Sequence, residues 1–187
     1  AFAAVQAAAT NSDASTLNTD TLAAIRGLSF VETNLTDYQE AIAAEASIAD
    51  EVALQTLIDS VDISLVAFAS VQLAATNSDA SSVNAETLNA IRGLTANDAH
   101  LGDYQEAIEA QSSIADVASL QAVINEVDAS LAAFASVQSA ALSNNAGGIT
   151  TDVLSDIIGL TFTGANLSDY QVAIGSENEI ADVSALQ

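Results

Sequence analysis

Residues 117–142 read VASLQAVINEVDASLAAFASVQSAAL, a stretch without glycine or proline. Its large apolar side chains recur at alternating steps of three and four residues, which places them on one stripe of a helix. They are Val117, Leu120, Ile124, Val127, Leu131 and Phe134. Asp116 precedes the stretch, where its side chain can cap a helix and its charge suits the helix dipole. The sequence therefore predicts one long helix from Val117 to about Leu142.

The same pattern occurs earlier in the chain, because the sequence repeats at intervals of 66 residues. Its landmarks are the phenylalanines at 2, 68 and 134 and the tyrosines at 38, 104 and 170. The first two copies agree at roughly 40 of 66 positions without insertion or deletion. A fixed period of this size indicates one supersecondary unit in tandem. We predict helical repeats at 1–66 and 67–132, and a truncated third at 133–187.

Two shorter helices are predicted within each unit. The first runs from about Thr19 to Arg26 and stops at Gly27, where a left-handed C-terminal residue is expected. The second lies near 35–46, with Thr36–Gln39 as a capping box or with a start at Asn34. The corresponding positions of the third copy are Gly159, Ser168–Gln171 and Asn166.

No window alternates with period two, so strands are not expected. The predicted fold is all-α: tandem 66-residue three-helix units joined by a long shared helix, in a rod or solenoid. A joint made of helix transmits orientation between units, as a flexible linker does not.

Charge and composition exclude several classes of partner. The net charge is −23, with no lysine and only Arg26 and Arg92 as strong bases. Nucleic acids and anionic lipid surfaces are bound by clusters of Lys and Arg, so neither is expected as a partner. No apolar run approaches about 18 residues, so membrane insertion is not expected. The absence of cysteine excludes disulfides and thiolate metal sites.

Two polar loops resemble the opening of a calcium-binding loop. Asn11 and Asp13, like Asn77 and Asp79, have the spacing N-x-D-x-S. The match fails further on, because no glycine stands at the sixth position and no glutamate at the twelfth. The third copy has Asn145 in place of the aspartate. A capped, solvated loop is favoured over a calcium site.

The other recurring acids also have structural interpretations. One set is expected in the first turn of a helix, where it complements the dipole. This set comprises Asp37, Asp103, Asp169, Glu40 and Glu106. Asp62 and Asp128 lie mid-helix, off the apolar stripe, and are expected to be simply exposed.

The basic and aromatic residues do not form a reactive set. Arg26 and Arg92 suit a helix C-terminus and are expected to form salt bridges, with Ile158 at the third position. His100 replaces Asn34 and Asn166 and has no partner for a zinc site or a Ser-His-Asp relay. The tyrosines are expected to face inward. We predict no catalytic, metal or cofactor-binding residue and no enzyme activity.

Recurring phrases suggest a family resemblance. The phrase L-x-D-Y-Q-x-A-I occurs at 35–42, 101–108 and 167–174, and I-A-D is followed by a Leu-Gln pair in each copy. With its lysine-free composition, the chain resembles tandem helical repeats of very large secreted bacterial surface adhesins and extracellular fibre proteins. The resemblance implies a structural role at the cell surface. Many such proteins carry calcium-rigidified β-sandwiches, whereas this sequence predicts helices, so calcium dependence does not follow.

Three functional hypotheses remain open. The leading one is a stiff extracellular spacer, stalk or fibre shaft whose partners are neighbouring repeats of the same chain or fibre. The second is a helical module that binds a host protein or glycan by avidity, although the linker at 29–33 differs between copies. The third is a filament subunit joined head to tail, because 1–10 resembles the end of the long helix and 181–187 its beginning. Since the first residue lies inside a repeat, excision from a longer polypeptide is the preferred explanation.

Overall fold

A computed structural model describes all 187 residues and is all-α, with 64% of the chain helical and no strands. Three short 3₁₀ turns precede the third helix of each set, at Glu32–Asn34, Asp98–His100 and Gly164–Asn166. The helices are α1 (Phe2–Thr10), α2 (Thr19–Ala23), α3 (Leu35–Ala44), α4 (Glu51–Asn77), α5 (Ala85–Ala90), α6 (Leu101–Glu109), α7 (Val117–Leu142), α8 (Thr151–Ser155), α9 (Leu167–Ser176) and α10 (Val183–Leu186).

The two long helices are α4 and α7, and the predicted bounds of α7 are confirmed. Both helices are uninterrupted through their middle, at 61–71 and 127–137. Their N-termini are capped as predicted: Asp50 accepts a hydrogen bond from the Ala53 amide at 2.8 Å, and Asp116 from the Ser119 amide at 2.7 Å. Each cap satisfies an amide that the helix leaves without a partner.

The short helix α2 ends at Ala23, so the predicted end at Arg26 is wrong. The chain tightens instead of continuing the α-helix, since the Ile25 amide bonds the carbonyl of Leu22 only three residues back. Ile25 thereby reaches the core, where it is buried. Gly27 then reverses the chain with a φ of 84°, which a residue with a side chain rarely adopts.

The predicted start of α3 at Leu35 is confirmed, and the helix ends two residues before the predicted Ala46. The capping box is wrong, because neither Asn34 nor Thr36 caps the helix with its side chain. The amide of Gln39 instead donates to the carbonyl of Leu17 at 2.6 Å, which satisfies a backbone group of the preceding loop. Gln171 does the same for Ile149, so the capping box in α9 is wrong for the same reason.

Three hydrophobic clusters form the interior. The first has 14 buried residues between Val5 and Val61, the second has 14 between Ala67 and Val127, and the third has 10 between Ala133 and Ile180. The divisions between them fall inside α4 and α7. Each long helix therefore buries its first half in one cluster and its second half in the next.

Only two polar side chains are buried, and both lie at these divisions: Ser64 in α4 and Ser130 in α7. The Ser64 hydroxyl accepts a hydrogen bond from the Arg92 amide at 2.8 Å. The Ser130 hydroxyl accepts one from the Ile158 amide at 2.9 Å. Each serine fastens a turn of the following cluster to the helix that enters it.

Candidate functional site

The most organised polar group in the first cluster joins α3 to α4. The hydroxyl of Tyr38, whose residue is 1% exposed, donates to Oδ1 of Asp62 at 2.5 Å. It also accepts from the Val31 amide at 3.0 Å. The side-chain amide of Asn34 donates to the same Asp62 oxygen at 2.8 Å. We call the Tyr38–Asp62 pair, together with its counterpart below, a tyrosine–aspartate bridge.

The counterpart joins α6 to α7 in the second cluster. Tyr104, fully buried, donates to Oδ1 of Asp128 at 2.6 Å and accepts from the Asn97 amide at 3.1 Å. His100 replaces the asparagine, with its Nδ1 at 2.7 Å from the Asp128 oxygen. The prediction that Asp62 and Asp128 are simply exposed is wrong, because each accepts two side-chain hydrogen bonds from the preceding helical segment.

The chemistry of these bridges is that of a fastener. Burial is the main cause that raises the pKa of Tyr38 above its usual 10.0, and the hydrogen bond to Asp62 adds to it. The pKa of Tyr104 is raised for the same two reasons, with Asp128 as partner. A tyrosine that acts as a base or nucleophile needs a lowered pKa. Both hydroxyls stay protonated at neutral pH and hold two helices together as donors.

The third cluster lacks this bridge. Tyr170 is half-buried, and although its oxygen accepts from the Thr163 amide at 3.0 Å, its hydroxyl donates to no group of the chain. Beside it lies a cavity of about 150 Å³. We call this cavity the open groove. Its principal lining residues are Leu160, Phe162, Tyr170, Ile174, Ile180 and Leu186.

The polar loops are closed by local hydrogen bonds. Oδ1 of Asp13 accepts from the Ser15 amide at 3.0 Å and from the Ser15 hydroxyl at 2.7 Å, which lowers the pKa of the aspartate. Asp79 has the same arrangement with Ser81. No group of three or more His, Cys, Asp or Glu residues is placed to hold a metal ion. The contacts are those of a capped turn.

The first-turn acids lie as predicted in α3, α6 and α9. The salt bridges expected of Arg26 and Arg92 do not form, because the one close pair of ionisable groups is His100–Asp128. The guanidinium of Arg92 donates instead to the Ser60 hydroxyl on α4 at 3.2 Å. Both arginines are exposed, and water serves such a cation nearly as well as a carboxylate does.

One helix, α4, is long and apolar enough to cross a membrane when judged by length and composition alone. This exceeds the expectation that no apolar run comes near that length. A helix that packs in a protein core meets the same measure, and α4 contributes buried residues to two clusters. The absence of membrane insertion stays a prediction.

Sequence reasoning missed the glutamines that connect distant backbone groups. Gln6, Gln72 and Gln138 donate to the carbonyls of Ile48, Ile114 and Ile180 at 2.9–3.1 Å. Gln55 both donates to and accepts from the backbone of Ser29. The available signal was that each glutamine recurs at one phase of the repeat although it lies outside the apolar stripe.

Comparison of the chain with protein-family models, curated proteins and solved structures finds no match in any of the three. The functional argument therefore rests on the residues and contacts described above.

Proposed function

We propose that the chain is a stiff structural spacer. In this proposal its 66-residue helical units stand in tandem, share the long helices α4 and α7, and form a rod that serves as the stalk or fibre shaft of a bacterial surface adhesin. The observation that carries the proposal is that α4 and α7 each pass from one hydrophobic cluster into the next without losing helical structure.

A continuous helix supports stiffness for a physical reason. Every backbone amide along such a joint is engaged in the helix, so neighbouring clusters cannot rotate freely, as they do about a Gly/Ser linker. At about 1.5 Å per residue, the 27 residues of α4 span roughly 40 Å. The bonds that Ser64 and Ser130 accept add a second connection at each division.

The polar groups also favour a structural role over a chemical one. The tyrosine–aspartate bridge occurs twice with the same geometry, and its tyrosines are held protonated. Active sites are generally single and asymmetric, so a feature made more than once serves architecture. We therefore propose a non-enzymatic protein that needs no cofactor and whose partners are neighbouring repeats.

Surface chemistry supports a location outside the cell. The net charge of −23 discourages association between neighbouring shafts. The chain has no cysteine or methionine, the side chains most prone to oxidation. Both properties suit a long molecule at a cell surface.

The proposal is tested by breaking α4 between the first two clusters. Val66 is 69% exposed and lies between Val61 of the first cluster and Ala67 of the second. Val66→Pro removes a helical hydrogen bond and places the proline ring against the preceding turn, which kinks or breaks the helix. Small-angle scattering should show a stiff particle for the native chain. The variant should give a broader distribution of distances and a shorter mean.

Val66→Ala is the matched control, because it removes the same exposed side chain and keeps the helix. Hydrogen exchange within α2 and α6 should show that both clusters stay folded in all three proteins. If the native chain scatters as freely jointed beads, or if Val66→Pro leaves the distance distribution unchanged, the spacer proposal is wrong.

A further inference from the structure

The open groove corresponds to surfaces that are covered in the other two clusters. In the first cluster Ile58 and Val61, from the first half of α4, are buried at 1% and 3% exposure. In the second cluster Ile124 and Val127, from the first half of α7, are buried at 0% and 3%. In the third cluster α10 ends at Leu186, and no aliphatic side chain covers Phe162 and Tyr170 in this way.

The groove also has unused hydrogen-bonding capacity. Tyr38 and Tyr104 donate to Asp62 and Asp128, whereas the hydroxyl of Tyr170 has no acceptor. Asn166 stands where Asn34 stands in the first cluster. The Asn34 amide donates to Asp62, whereas the Asn166 side chain makes no hydrogen bond. The third cluster therefore presents a hydroxyl donor and an amide donor beside an apolar cavity.

We propose that the open groove is a binding site for an amphipathic helix of a second polypeptide. The helix carries an aliphatic residue followed, one turn later, by Val-Asp. This pattern occurs in the chain itself as Ile58…Val61-Asp62 and Ile124…Val127-Asp128. The aliphatic side chains fill the groove, and the carboxylate accepts hydrogen bonds from Tyr170 and Asn166. The inference rests on the tandem correspondence of units proposed above, but not on the stiffness of the array.

The expected recognition is apolar and hydrogen-bonded rather than ionic. No lysine or arginine lies in the groove, and the chain and a helix of this pattern are both acidic. Salt screens repulsion between them, so affinity should rise modestly with ionic strength. A site that attracted the helix by charge would show the opposite trend.

The probe is a fluorescein-labelled peptide with the sequence of residues 50–67, titrated with the 187-residue chain and followed by anisotropy. Saturable binding at one peptide per chain is expected. The peptide variant Ile58→Asp/Val61→Asp should not bind, because charges would enter the apolar groove. Asp62→Ala in the peptide should weaken binding about five- to tenfold, the loss expected for a hydrogen bond to a carboxylate.

Asp59→Ala is the matched control, because Asp59 is an exposed carboxylate of the same helix that makes no contact with the preceding helices. It should bind like the native peptide. On the chain, Tyr170→Phe should weaken binding of the native peptide about five- to tenfold and of the Asp62→Ala peptide much less, since the two changes remove one shared interaction. Tyr104→Phe, which alters a bridge outside the groove, should leave the affinity unchanged.

The inference is wrong if binding is not saturable, if the doubly charged peptide binds as well as the native one, or if Tyr170→Phe and Asp62→Ala act independently. Peptide binding and the scattering experiment have separate outcomes. Failure to bind with unchanged stiffness removes the groove proposal alone, and binding by a flexible chain removes the spacer proposal alone.

Discussion

The second and third clusters contain the same Asp-Tyr-Gln phrase in different surroundings. Tyr104 is fully buried and bonded to Asp128, whereas Tyr170 is half-buried and donates to nothing. The local part of the arrangement is the same in both, since each tyrosine oxygen accepts a backbone hydrogen bond from the residue seven positions earlier. The difference lies in the helix that follows. A motif therefore sets the local geometry of this tyrosine, and a segment 24 residues later decides its environment.

The largest expected effect concerns the helix that covers the second cluster. Ile124→Ala removes a side chain with 0% exposure and should lower the free energy of unfolding of that cluster by about 2–5 kcal/mol. Leu186→Ala, in the half-buried α10, should cost the third cluster less than about 2 kcal/mol. Hydrogen exchange, measured separately for α6 and α9 in each variant, gives both values. Equal losses would show that the two clusters are covered alike.

A smaller effect is expected from the tyrosine hydroxyls. Tyr104→Phe leaves the Asp128 carboxylate and the Asn97 amide each without one partner and should cost about 1–2 kcal/mol. Tyr170→Phe removes only the acceptor of the Thr163 amide and should cost about 0.5 kcal/mol or less. Denaturant unfolding of the two variants, each compared with the native chain, provides the test. A larger loss for Tyr170→Phe would contradict the contrast between the clusters.

The smallest effect sharpens the comparison between the first and second clusters. Phe30 packs edge-on against Tyr38 at a centroid distance of 6.4 Å, and His100 takes that role against Tyr104 at 6.0 Å. His100→Asn should keep a donor to Asp128, as Asn34 does for Asp62, but lose the aromatic contact, at about 0.5–1 kcal/mol.

Ala96 occupies the position that Phe30 has in the first cluster, so the double variant Ala96→Phe/His100→Asn restores that cluster's combination. It should regain most of the stability lost in His100→Asn when both are compared by thermal unfolding. No recovery would show that the first cluster's packing does not transfer to the second.

The long helices were the most predictable part of the fold. The apolar stripe and Asp116 are local signals, and together they gave α7 its observed bounds. The short helix was predicted three residues too long, because the sequence between Ala23 and Gly27 is compatible with helix and tertiary packing of Ile25 decides its end.

The polar contacts were largely unpredictable from a single sequence. Asp62 lies off the apolar stripe and its partner Tyr38 is 24 residues away, so nothing local connects them. The same holds for Gln39, whose amide serves the loop at Leu17 instead of its own helix. The repeat offered one usable hint, because Asp62 and Tyr38 recur together as Asp128 and Tyr104.

Membership of each long helix in two clusters has a consequence for partial unfolding. If the middle cluster opens, the second half of α4 and the first half of α7 lose their packing partners at once. The remaining halves are then shorter helices whose newly exposed ends fray, which weakens the clusters on both sides. Local opening should therefore spread outward from the centre, and nearest-neighbour coupling makes the chain more cooperative than three independent clusters would be.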